Sequence, residues 1–315
     1  MNKNKIISIG RIIISLGLVA LLLYLARDNF TKVWQLLRSV NVGILACAYL
    51  FFILSTVLIA YRLRLLLVAQ EAWFSMQTLF PLTLIGYFFS NFMPTSVGGD
   101  LVKGYFIGQR MKNKTAAYAA IFVDRTVGMF SLACIACAAL ILMRAEIKHA
   151  FIFWAVILLF STCLLFIILL LNKNLAQVIG RRSGLRRILQ IIKLDALLKK
   201  AYFAINLYHH HQDRLIQSFL LSAVAQFSAF FSVYLLSCAL GATVSFDKIL
   251  LIMPIVGVLC MLPVAMNGLG LREWAFVFFL SASIGAAAAL SLSILYLALF
   301  LITGLIGGVI YLFWR

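Results

Sequence analysis

Acidic residues are scarce in this chain. Nine Asp and Glu stand against 27 Lys and Arg, and charge of either sign makes up only 11% of 315 residues. Soluble domains carry about 25% charged residues, so a water-facing surface for a chain of this length is excluded. A net charge of +18 would suggest nucleic acid in a soluble protein. Here the aromatic residues lie inside apolar runs, not between the basic ones, which argues against that partner. Cytoplasmic loops of membrane proteins collect Lys and Arg, and that habit accounts for the surplus.

Catalytic signatures are missing too. The chain has no Gly-x-Ser-x-Gly, no His-Glu-x-x-His and no glycine loop leading into Lys-Ser. Its four histidines, His149, His209, His210 and His211, fall in predicted loops, so an embedded histidine base is not expected. Three adjacent loop histidines lack the spacing and supporting partners of a metal site. The six cysteines lie inside apolar stretches and read as small hydrophobes. Cys134-x-x-Cys137 has redox spacing without thioredoxin-like surroundings. No enzymatic activity, cofactor or metal is expected.

What the chain does have is long apolar runs, 64% of its residues being hydrophobic. Crossing a hydrocarbon core of ~30 Å takes about 20 apolar residues in a helix. Six stretches meet that length: Ile6–Ala26, Val42–Leu66, Ala116–Met143, Phe151–Leu171, Leu215–Leu240 and Ala286–Trp314. The expected fold is therefore an all-α polytopic membrane protein, one transmembrane domain over residues 1–315. Met1–Arg11 followed by Ile12–Leu25 looks like a signal peptide. Charged Arg27 and Asp28 stand where a small-residue cleavage site would be, so a retained first helix is expected.

Loop charges orient the chain. Lys3, Lys5 and Arg11 place the N-terminus in the cytoplasm, and Arg62 and Arg64 mark the inner end of the second span. Arg27, Lys32 and Arg38 lie on the outer side, an exception to the rule. The densest basic run holds Lys173, Arg181, Arg182, Arg186, Arg187, Lys193, Lys199 and Lys200. It falls in a cytoplasmic loop, residues 172–214, between a first half (1–171) and a second half (215–315). Leu185, Ile188, Leu189, Ile192 and Tyr202 alternate with those cations, as in an amphipathic helix lying among headgroups.

Each half also contains a broken apolar segment. Residues 75–108 and 249–283 read as re-entrant helical hairpins, entered from opposite sides as an inverted repeat. The chain's four prolines, Pro81, Pro94, Pro254 and Pro263, all fall in these two segments. A proline in a membrane helix frees a backbone carbonyl that only protein or a polar cavity can satisfy. The tips share a pattern: Pro94, Gly99 and Lys103 recur as Pro263, Gly268 and Arg272 at equal spacing. Matched, Gly/Pro-interrupted segments in two halves point to a transporter's binding site.

Each tip opens a half-helix whose free N–H groups favour an anion. Lys103 and Arg272 are the expected ligands of an anionic headgroup, assisted by Arg125, Asn91 and Asn267. Gly98, Gly99, Gly268 and Gly270 would supply tip backbone beside Pro94 and Pro263. Asp100, Asp124 and Glu273 would orient the cations or relay protons. Asp124 lies in an apolar span and requires a partner there. Lys103 or Arg272 is expected for it, and Asp100 or Glu273 for Arg125. In a competing reading, Asp100 and Glu273 simply neutralise the cations beside them.

Two stretches carry a family resemblance: Asn91-Phe-Met-Pro-Thr-Ser-Val-Gly-Gly-Asp-Leu-Val-Lys103 and Leu262-Pro-Val-Ala-Met-Asn-Gly-Leu-Gly-Leu-Arg-Glu273. With Val123-Asp-Arg125 between them, the chain resembles the flippase-like membrane domain family across essentially its whole length. That family includes the membrane region of lysylphosphatidylglycerol synthases and stand-alone bacterial and archaeal proteins. The resemblance implies a bacterial inner-membrane protein that moves lipids or lipid-linked headgroups between leaflets, with membrane lipids as partners. The first motif often has Gly-Glu where this chain has Gly99-Asp100, which keeps the carboxylate and shortens it. A soluble aminoacyl-transferase region is missing from these residues, so lysyl-lipid synthesis is not expected of the chain alone. An accessory subunit for a lipid- or glycan-modifying membrane enzyme, or a small-anion carrier, are the rival expectations.

Overall fold

The computed structural model describes residues 30–93, 98–111, 113–142, 211–261 and 268–314, with Gly17, Tyr208 and scattered positions between 154 and 164. All regular structure among the described residues is helical. In chain order the helices are α1 (Phe30–Arg38), α2 (Val42–Val68), α3 (Met76–Phe92), α4 (Gly98–Arg110), α5 (Lys114–Leu142), α6 (Gln212–Ala239), α7 (Phe246–Met261), α8 (Leu271–Ile284) and α9 (Ala286–Leu312).

Four of these, α2, α5, α6 and α9, are long and apolar enough to cross a membrane. They match four of the six expected spans. The other two, Ile6–Ala26 and Phe151–Leu171, fall mostly outside the described residues, and the amphipathic stretch of the basic loop lies outside them. Long helices here expose large apolar side chains, as lipid-facing surfaces do. On α9, Leu301, Leu305, Val309 and Leu312 are exposed while Tyr296, Leu299, Thr303 and Gly307 are buried.

The remaining helices are short. α3 has 17 residues, α4 13, α7 16 and α8 14. At 1.5 Å per residue these reach only about 20–25 Å, short of the ~30 Å hydrocarbon core. Pro81 lies inside α3 and Pro254 inside α7. The second arm of the first segment includes its glycines: α4 begins at Gly98 and takes Gly99 and Asp100 into its first turn. The breaks, residues 94–97 and 262–267, lie outside the described residues.

The chain divides into two compact units. The first comprises the described residues of Met1–Leu58, Phe80–Lys103 and Val224–Arg315. In it, hydroxyls stitch α6 to α2: Ser228 donates to the Phe51 carbonyl at 2.8 Å and Ser232 to that of Ala48 at 2.7 Å. Small residues let α9 meet α3. A Cβ on Gly307 would collide with the Leu84 carbonyl, and one on Gly308 would lie 2.6 Å from the Phe88 ring. Close backbone approach of this kind is how membrane helices pack when lipid offers no hydrophobic contrast.

The second unit comprises the described residues of Ile59–Leu79 and Gly104–Ala223. Tyr208 is fully buried there among Leu66, Ala69, Ala119 and Val123. Its hydroxyl donates to the Leu66 carbonyl at 2.9 Å and accepts from the Gln70 amide at 2.5 Å.

Candidate functional site

Both half-helix pairs contribute to the first unit, and each opens its second helix with an ion pair. In α4, Lys103 Nζ lies 2.8 Å from Asp100 Oδ1, three residues apart on one face. In α8, Arg272 donates from Nε and Nη2 to Glu273 Oε1, at 3.1 and 2.9 Å. Lys103, Arg272 and Glu273 are all buried. Burial explains the pairing: an isolated buried charge costs several kcal/mol, and a carboxylate on the same helix is the nearest remedy. The reading in which Asp100 and Glu273 neutralise their own neighbours thus describes both tips.

Glu273 has a second task. Its Oε2 accepts from the Gly270 N–H at 2.6 Å, so the third residue of α8 folds back over the helix start. This is half of a capping box, and it puts a carboxylate at the positive end of the helix dipole. The anion at the mouth of α8 is therefore the chain's own. The rest of the Arg272 fork finds no hydrogen-bond acceptor among the described residues. Its guanidinium carbon instead lies 5.9 Å from the centre of the Tyr296 ring and 5.8 Å from that of Phe300, within cation–π range.

Glycine sets the close approaches at both tips. A Cβ on Gly99 would collide with the Gly86 carbonyl, so α3 and α4 touch there through backbone. The Lys103 stem lies along Gly86, its methylenes 3.2–3.3 Å from where a side chain would begin. Gly268 has φ +70° and would place a Cβ 2.6 Å from Cys260 Sγ, so both conformation and space demand glycine. Gly270 at φ 84° also has positive φ.

Asn91, expected beside the first tip, donates from Nδ2 to the Phe300 carbonyl at 3.1 Å. Phe300 therefore touches both pairs, its backbone bonded to α3 and its ring against Arg272 on α8. Phe52, Tyr87 and Tyr296 pack edge-on around the same ring, with centroids 4.9–5.9 Å away. Pro94, Pro263 and Asn267 lie outside the described residues.

Asp124 belongs to the second unit, and its expected partner is corrected. Both its oxygens are held by Arg62, from Nε at 2.6 Å and Nη2 at 2.8 Å. Arg62 Nη1 also donates to Ser222 Oγ at 2.8 Å, tying α2, α5 and α6 together. Arg125, the next residue, is half-buried. Arg62 was expected to mark the end of a span, but α2 runs on to Val68 and buries it. Gly128 leaves room for the guanidinium, since a Cβ there would lie 3.0 Å from Nη1.

These residues can bind and orient charge in an apolar setting, with acids and bases arranged in neutral pairs. No curated protein matches the sequence. The family described as the lysylphosphatidylglycerol synthase TM region matches residues 9–308, a stretch that contains both tips, Arg62 and Asp124, and the chain belongs to that family.

Proposed function

We propose that this protein moves an anionic phospholipid or lipid-linked headgroup between the leaflets of a bacterial inner membrane, and that it is not an enzyme. In this reading the α3–α4 and α7–α8 pairs are re-entrant hairpins flanked by six full spans, with both termini cytoplasmic. The observation that carries it is the shared anchorage of two buried tip cations. Lys103 and Arg272 each sit on a helix too short to cross the bilayer, and both pairs rest on α9, through Gly307 and Phe300. Polar groups at depth are tolerated where they face protein or a polar cavity, and in transporters such places are substrate paths.

Arg272 is the better headgroup ligand of the two. Glu273 takes only its Nε and Nη2 donors, and a phosphate could take others as a bidentate partner. Asp100 and Glu273 would then hold the cations in place between substrates. Movement would be downhill or coupled to an ion gradient, because the sequence has no ATP-binding motif.

Purified protein in liposomes with fluorescent anionic, zwitterionic and polyprenyl-phosphate lipids tests the reading. Exchange of an anionic lipid that falls at least tenfold in Lys103→Ala and Arg272→Ala is the expected result. No exchange by the unaltered protein, or equal exchange by both variants, would sink it. A second reading, an accessory subunit of a lipid- or glycan-modifying enzyme, is favoured by one observation: both tip cations are already paired within their own helices. Recovery of a stoichiometric enzyme with the purified protein would support that alternative.

A further inference from the structure

The shortest helix, α1, is not long enough to span a membrane and has no role in the proposed headgroup site. Its position is well fixed. Three residues, 39–41, separate its end at Arg38 from the start of α2 at Val42. Asn41, between the two helices, accepts from the Ile44 N–H at 3.1 Å and so caps α2. The Asn41 N–H donates at 3.0 Å to the carbonyl of Ala239, the last residue of α6. One span starts and another stops at this level, so it is a membrane boundary, and α1 lies beside it, packed against α9.

The faces of α1 differ sharply. Val33 is buried, and Leu36 and Leu37 are half-buried. Phe30 and Trp34, four residues apart, are 60% and 51% exposed. Lys32 and Arg38 are exposed as well, and Phe30–Arg38 contains no acid. The Arg38 guanidinium stacks over Trp34 at 4.7 Å. Exposed aromatics and cations on a short helix at the end of a span match the headgroup–acyl boundary, where an indole buries its ring and a cation meets phosphate.

The geometry points to α1 as an interfacial lipid-binding helix, with Phe30 and Trp34 inserted at the glycerol level and Lys32 and Arg38 holding anionic headgroups against the α9 side of the protein. Charge complementarity selects the occupant: exposed Lys32 and Arg38 beside exposed Phe30 and Trp34, on a helix without an acid, fit anionic headgroups above an acyl boundary. The inference also explains why Lys32 and Arg38 stand on the side that loop charges otherwise leave lean. It stands apart from the transport reading, because α1 would bind lipid whether or not the tips move it.

Two measurements test it in nanodiscs of phosphatidylcholine and phosphatidylglycerol. In the first, emission from Trp34 is isolated as the difference between the unaltered protein and Trp34→Phe. That component is expected to be quenched more by lipids brominated near the glycerol end than by those brominated near the terminal methyl, and to resist aqueous iodide. Quenching by iodide with no response to either brominated lipid would overturn the inference. In the second, spin-labelled phosphatidylglycerol and phosphatidylcholine are compared for the fraction held immobile by the protein. Lys32→Gln/Arg38→Gln is expected to cut the excess of phosphatidylglycerol at least twofold without changing the phosphatidylcholine fraction. Unchanged selectivity in that variant would refute the anionic part. Neither readout depends on transport, so its failure is separable from failure of the headgroup site.

Discussion

Removing the Asp124 charge while keeping its shape, as Asp124→Asn does, leaves one amide oxygen where two carboxylate oxygens accepted from Arg62, and sets an NH2 donor against the guanidinium. The Ser222 bond is to a neutral hydroxyl, so the variant lacks the Asp124 charge beside a guanidinium whose side chain is only 7% exposed. Two opposite charges 4 Å apart attract by about 4 kcal/mol at an effective dielectric of 20. Breaking a buried pair typically costs about 3–5 kcal/mol, because the surviving charge stays desolvated. Replacing both partners with apolar residues of similar volume is often neutral. The expected pattern in reversible unfolding from mixed SDS micelles is therefore distinctive. Asp124→Asn and Arg62→Met each lose about 3–5 kcal/mol. Arg62→Met/Asp124→Leu recovers most of that loss, to within about 1 kcal/mol of the unaltered protein. If both single variants unfold within about 1 kcal/mol of the parent, the pair carries no stability and the argument from burial fails. Additive losses in the double variant would refute the direct coupling.

Other expectations follow from single contacts. Gly99→Val drives a side chain into the Gly86 carbonyl, so it should prevent α3 and α4 from closing and lower thermal stability by several degrees. A variant as heat-stable as the parent would mean that the backbones do not touch there. Glu273→Gln removes the charge that caps α8 and pairs Arg272; a loss of about 2–3 kcal/mol is expected in the same unfolding assay. Tyr208→Phe deletes the bond to Leu66 and the acceptor for Gln70, for an expected loss of about 1–3 kcal/mol. Burial lifts the Tyr208 phenol above its ordinary value of 10.0, the Gln70 bond opposes that rise, and Asp124 adds to it. A raised folded value means this contribution is complete below about pH 10 and fades as pH climbs further. Alkaline melting curves should show that decline in the parent and a smaller one in Tyr208→Phe.

Much of the fold is legible in the sequence because membrane helices obey a length rule. The ends of α2, α5, α6 and α9 lie within a few residues of the apolar runs that announce them. The prolines mark the short pairs for the same reason, since a break in an apolar run cannot be left unsatisfied in lipid. The partner of Asp124 is harder to read. Hydropathy makes a charge at the flank of a span and a charge buried in its last turns look alike. Arg62 and Arg64 sit in one run, yet only Arg62 turns inward to α5. That choice depends on helix rotation, which packing sets. The need was visible, because an acid in an apolar run must find a cation, but the two expected partners, Lys103 and Arg272, satisfied the chemistry as well as Arg62 does.

At the tips, sequence spacing set each glycine beside a cation but left the state of the charges open. The Asp100–Lys103 pair is legible as neighbours on a helix, three residues apart. The Arg272–Glu273 pair follows from adjacency in the sequence and not from helix geometry, since adjacent residues diverge by about 100° on a helix. Glu273 reaches both Arg272 and the Gly270 N–H because it stands in the first turn, where the positive φ of Gly270 turns the preceding chain back. The helix α1 escaped notice because nine residues are too few for a span and its apolar positions form no long run.

Phe300 joins two things that are ordinarily separate. Its peptide carbonyl belongs to the amide of Asn91 and its ring to the guanidinium of Arg272. If one half-helix pair shifted while α9 stood still, a hydrogen bond would stretch on one side or a stacked charge would slip on the other. A single residue thus works like the axle of a balance, the one point on which both arms bear.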